Sequence, residues 1–172
     1  MLTADQLITI LGLVPLQGEG GYFAETYRSA GQIPATALPA QYPGGGRLFS
    51  TAIYYLLSDD PDSFSALHRL RGDEIYHFYL GDPVEMLLLN PDGAHSKVVL
   101  GQDLEQGMRL QFNVPAGCWQ GSRLLPGGRF ALMGTTMAPG FDLRDFEAGQ
   151  RESLTRAYPG LRAEIHLLTR PE

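Results

Sequence analysis

The stretch FSALHRLRGDEIYHFYLGDP, residues 64–83, decides the fold. Its apolar side chains recur at a spacing of two over runs near 64–70 and 74–80. Arg71-Gly72-Asp73 joins the runs and Gly81-Asp82-Pro83 closes them, which reads as strand, turn, strand. The same stretch carries His68 and His77, with the adjacent acids Asp73 and Glu74.

Working toward the C-terminus, further short strands are predicted near 84–90, 96–100, 108–113, 117–124 and 129–137. Asn90-Pro91-Asp92-Gly93 and Pro126-Gly127-Gly128 separate them with turn chemistry. Toward the N-terminus, LFSTAIYYLLS (48–58) is apolar on both faces, as expected of a strand covered on each side, in a sandwich or at a subunit contact. Residues 31–46 read as a loop, and GEGGYFAETYRSAG before it as a strand with Phe23, Glu25 and Tyr27 on one face. Thr3 followed by Gln6 forms a capping-box pattern ahead of Leu7, Ile8 and Leu11, predicting a helix over 3–12. The tail, 145–158 and 161–168, reads as two short helices. Eight or nine short strands at this spacing predict an all-β sandwich or barrel. We expect a single domain over 1–172, its barrel near 20–140 and its C-terminal helices near 145–169.

Composition excludes several classes of function. The formal charge is −6 and the basic residues are scattered, so no stripe awaits a phosphate backbone and no nucleic-acid partner is expected. Cys118, the single cysteine, cannot form an internal bridge, and the apolar N-terminus carries Asp5 with no basic flank or cleavage site. A cytoplasmic location and no membrane partner are therefore the expectation. Gly44-Gly45-Gly46 lacks the following lysine and hydroxyl of a phosphate loop.

Two blocks resemble degenerate forms of the two cupin motifs, G-x5-H-x-H-x3,4-E-x6-G and G-x5-P-x-G-x2-H-x3-N. His68 fills the first histidine position, Leu70 stands in the second, and Glu74 and Gly81 follow at the motif's spacing. Pro115-Ala116-Gly117-Cys118-Trp119-Gln120 matches the second motif with glutamine in place of histidine, and Leu124 stands where asparagine would. EGGYFAETYRS, STAIYYLL, HRLRGDEIYHFYLGDP, PAGCWQGSRL and MAPGFDLRDFEAG, in this order, resemble the cupin_5 (DUF985) family over nearly the whole chain. The resemblance implies a double-stranded β-helix, the cupin jelly-roll barrel, kinship to storage cupins and sugar-nucleotide epimerases, and a homodimer.

Such a barrel holds a small-molecule ligand in its mouth. His68 and Glu74 are the motif-matched pair, an imidazole beside a carboxylate able to move a proton. Tyr76 and His77 are candidate acids, although strand parity puts His77 on the face opposite Glu74 unless a bulge intervenes. Glu25, Thr51, Tyr55 and Gln120 are candidate ligand-binding residues. Leu70 cannot ligate and the Gln120 amide is a weak donor, so no metal or other cofactor is expected. A divalent metal on His68, Glu74 and His77 is the alternative, and would need an inward His77. The expected function is a metal-independent isomerase or epimerase acting on a small polar metabolite, sugar-like or carboxylate. A metal-dependent cupin enzyme (dioxygenase or isomerase) and a noncatalytic binding module are the alternatives.

Overall fold

The structure is a computed structural model and describes residues 2–170. Thr3 caps α1 (Ala4–Leu11) through the predicted reciprocal bonds with Gln6, and Gly12 ends it in the left-handed conformation. There follow β1 (Val14–Pro15), β2 (Tyr22–Arg28), β3 (Gln32–Ile33), β4 (Arg47–Leu48), β5 (Thr51–Ser58) and β6 (Ser65–Leu70). Next come β7 (Glu74–Gly81), β8 (Val84–Leu89), β9 (His95–Leu100), β10 (Gln111–Val114), β11 (Trp119–Leu124), β12 (Phe130–Met137) and β13 (Phe146–Ala148). Two helices, α2 (Arg151–Ala157) and α3 (Arg162–Leu167), follow.

Six strands form one antiparallel sheet in the order β1-β2-β5-β12-β7-β10, and five form a second in the order β13-β6-β11-β8-β9. Their inner faces share one core: Tyr55, Tyr76, Phe78 and Met133 from the first meet Met86, Leu88 and Leu124 from the second. Two twisted sheets packed over a common hydrocarbon layer make the predicted jelly-roll barrel.

β5 is covered on both faces, as its composition predicts. Tyr55 and Leu57 point into the shared core, while Leu56 meets Leu7 and Leu13 around α1 together with Phe130 and Leu132. The second cover on Leu56 is therefore α1 and its own sheet. On the other side, α2 and α3 lay Leu154, Ile165 and Leu168 over Leu67, Leu87 and Leu89.

Two expectations need correction. The tail does not start as helix: residues 146–148 form β13, which pairs Phe146 with Leu70, Glu147 with Arg69 and Ala148 with His68. The edge of β6 needs backbone partners, and that non-local demand overrides the charged, helix-tolerant local composition. In β2 a register shift between Glu25 and Tyr27 breaks the strict alternation. Tyr27 consequently turns to solvent, 54% exposed, instead of sharing a face with Glu25.

Candidate functional site

His68 lies on β6 directly across from Gln120 on β11 and is 2% exposed. Its Nδ1 is 2.8 Å from the Ala66 carbonyl oxygen. A carbonyl only accepts, so Nδ1 carries the proton, and in the neutral ring Nε2 is the nitrogen with the lone pair. Nε2 in turn faces two carboxylates, 4.0 Å from Glu74 Oε2 and 4.0 Å from Glu19 Oε2. Phe146 on β13 stacks on the ring, with centroids 5.3 Å apart and planes at 22°.

Glu74 opens β7 with its carboxyl buried. Gln120 Nε2 donates to its Oε2 at 2.8 Å, and the Thr135 side chain also bonds it. Burial pushes the Glu74 carboxyl above its usual range; His68 opposes this, Glu19 adds to it, and the two hydrogen bonds hold it back. Tyr55 and Tyr76 stand beside it, each driven well above the ordinary phenol value chiefly by burial and further by the neighbouring carboxylates. Both remain protonated donors. The Tyr55 hydroxyl donates to the Gly20 carbonyl at 3.0 Å.

Glu19 is a candidate site residue that the sequence reading missed. It sits in the turn between β1 and β2, its Oε1 accepts from Ser65 Oγ at 2.9 Å, and its backbone carbonyl accepts from Ala66 N–H at 2.8 Å. Gly20 and Gly21 hold this turn against the barrel with positive φ, and a Cβ at Gly20 would lie 2.3 Å from the Phe64 carbonyl oxygen. The one signal in the sequence is an acid enclosed by glycines in the GEGGYF block.

These groups open into a cavity of about 200 Å³. Phe23, Ile53, Leu70, Met137, Phe141 and Phe146 supply most of its apolar wall. Thr51 and Tyr55 line it, and Thr51 Oγ1 accepts from the Phe141 N–H at 2.9 Å, holding that wall in place. Glu25 is at the partly exposed rim and binds Arg28 bidentately at 2.8 and 2.7 Å. Arg28 stands at the same rim, its side chain 58% exposed. Gln120 stands behind Glu74 as a second layer, 1% exposed, and its Oε1 has no protein partner.

The structure brings together His68, Glu74, Tyr76, Tyr55, Thr51 and Glu25, but not His77. That ring lies on the outer face of β7, with Nε2 3.2 Å from Thr136 Oγ1 and Nδ1 3.2 Å from Gln111 Nε2. β7 alternates without a bulge between Glu74 and Phe78 opposite β12, so strand parity sends Glu74 inward and His77 outward. His77 is therefore removed from the candidate acids and from the metal set His68, Glu74 and His77. The donors do not fit a cupin metal. Leu70 presents hydrocarbon to the cavity, the neutral Gln120 amide oxygen is a weaker ligand than an imidazole, and no group of three His, Cys, Asp or Glu among the described residues has metal-holding geometry.

A two-sheet jelly-roll with ionisable groups gathered inside one end of its barrel defines a cupin-type small-molecule-binding fold. The cupin superfamily model of the DUF985 family matches residues 5–149, and the chain belongs to that family. It is 34% identical over 163 residues to an uncharacterised protein of Saccharomyces cerevisiae, a match covering 87% of this chain and 78% of that protein. The crystal structure of a Shewanella oneidensis protein superimposes with a TM-score of 0.85 at 36% identity, covering 100% of both chains. A hypothetical protein from Leishmania major superimposes at 0.86 with 32% identity, covering 99% of this chain and 100% of its own. No helix among the described residues is long and apolar enough to cross a membrane.

Proposed function

We propose that the protein is a metal-independent proton-transfer enzyme of the isomerase or epimerase type, acting on a small polar metabolite inside the barrel. The observation that carries this reading is the His68 ring: one nitrogen is fixed to the Ala66 carbonyl, and the other is aimed at Glu19 and Glu74 on the cavity wall.

Isomerisation beside a carbonyl needs a base for the C–H, a donor for the developing enolate oxygen, and exclusion of bulk water. His68 Nε2 is the base. Glu19 and Glu74 stabilise the imidazolium that forms when it takes the proton, and the Phe146 ring holds the imidazole plane. Tyr76, protonated at neutral pH, is the donor to the oxygen. The ring then returns the proton to the neighbouring carbon, so the isomerisation is redox-neutral and consumes no co-reactant.

The test is solvent-deuterium incorporation into metabolites incubated with the protein in D2O and read by NMR. Wild type is expected to exchange one carbon-bound proton of its substrate, and His68→Gln to lose the rate by about 10²–10⁴-fold, the range of a general base. Exchange at an undiminished rate in His68→Gln would remove the proposal.

A further inference from the structure

The charge arithmetic of the cavity separates ligand classes. At the rim, Arg28 and Glu25 neutralise one another through two hydrogen bonds. Inside are two carboxylates, Glu19 and Glu74, and one imidazole, His68, with Nε2 4.0 Å from each acid. With a single proton shared among the three the trio carries a net charge of −1 wherever that proton sits; with none it carries −2. A carboxylate or phosphate ligand would therefore enter against like charge in a low-dielectric site, where such repulsion is weakly screened.

The wall points the same way. Phe23, Tyr55, Tyr76, Phe141 and Phe146 all line the space, and aromatic faces attract cations while repelling anions. Rings and carboxylates together are the chemistry that recognises an organic ammonium group attached to an apolar or weakly polar body.

We propose that the cavity is selective for a ligand bearing a protonated amine, seated on the Glu19 and Glu74 carboxylates with its body against the aromatic wall. This rests on the reading of the cavity as the substrate site, and it narrows the polar metabolite to an amine-bearing one. The carbon beside the amine then lies nearest His68 Nε2.

Three probes of nearly equal shape isolate the charge: benzylamine, benzyl alcohol and benzoate. Binding is measured at pH 7 by ligand-observed NMR and calorimetry, and location by the shift of the His68 ring resonances. Benzylamine is expected to bind about tenfold or more tightly than benzyl alcohol, benzoate more weakly than either, and benzylamine to move the His68 signals. In Glu19→Gln the advantage of benzylamine over the alcohol shrinks to about twofold. Should that variant fail to fold, the order of the three probes on wild type decides alone.

Benzoate as the tightest probe, equal binding of all three, saturable binding of none, or benzylamine binding that leaves His68 unmoved would each overturn the proposal. The order is an equilibrium reading and needs no turnover. Its failure leaves proton transfer by His68 standing, and failure of the exchange experiment leaves the order standing.

Discussion

A histidine with one ring nitrogen committed to a backbone carbonyl has a single nitrogen for chemistry, and in this protein that nitrogen is Nε2. The neighbouring Glu74 carboxyl is open to test by pH. Burial raises the Glu74 pKa above that of the unfolded chain, so the native state favours the protonated carboxyl. The stability that this contributes is fully present below the unfolded value and is lost as pH rises through the raised native one. Glu74→Gln cannot ionise and keeps the shape. Its stability is expected to rise relative to wild type as pH goes from acid to neutral and mildly basic, by about 1.4 kcal/mol for each unit by which the native pKa is raised. Thermal melts across that range would refute the sign if the difference were flat or shrank with pH.

Among the elements, the connections around β13 position the most. Arg47 is buried and binds Asp145 through two bonds of 2.7 Å, while donating to the Pro43 and Gly45 carbonyls at 2.9 and 2.8 Å. The pair ties the 43–46 loop to the residue just before β13, and Phe146 then stacks on His68. Arg47→Met leaves the Asp145 carboxylate buried without its partner and is expected to cost about 3–5 kcal/mol in denaturant unfolding, with the double change Arg47→Met and Asp145→Leu costing less. A single variant within about 0.5 kcal/mol of wild type would contradict the clamp. Gly20→Ala is a second case, because φ is +108° and the Phe64 carbonyl oxygen occupies the space. It is expected to destabilise by about 1–3 kcal/mol and to weaken benzylamine binding by shifting Glu19.

The barrel strands, α1 and the His68–Glu74 pair were legible because each is carried by local periodicity, capping or motif spacing. Strand parity also disposed of His77 in the absence of a bulge. Glu19 and Phe146 were not legible. One stands in a turn and the other in a strand of three residues, and both reach the site through contacts far along the chain, Glu19 to Ser65 and Phe146 to Leu70. Glu25 was found, but the β2 bulge, which composition does not announce, moved Tyr27 off its face.

Across the whole molecule the pairings join distant segments: β5 with β12, β6 with β11 and β13, and β7 with β10 and β12. Such topology closes large loops before any ladder is rewarded, and refolding is expected on the order of milliseconds to seconds. Trp119, the lone tryptophan, packs beside the core of α2 and α3 with Arg69 over its ring at 4.5 Å, and its fluorescence reports this step. Complete recovery of the native signal within microseconds would show that local contacts dominate instead.

The family match ends at residue 149, directly after the three-residue strand that flanks His68. The two helices beyond it lie behind the wall: α2 and α3 press on Leu67, Leu87 and Leu89, whose side chains point away from the ligand space. Sequence drift in those helices is thus insulated from specificity. It can make the protein sturdier or more fragile, while the cavity lining stays with the front face.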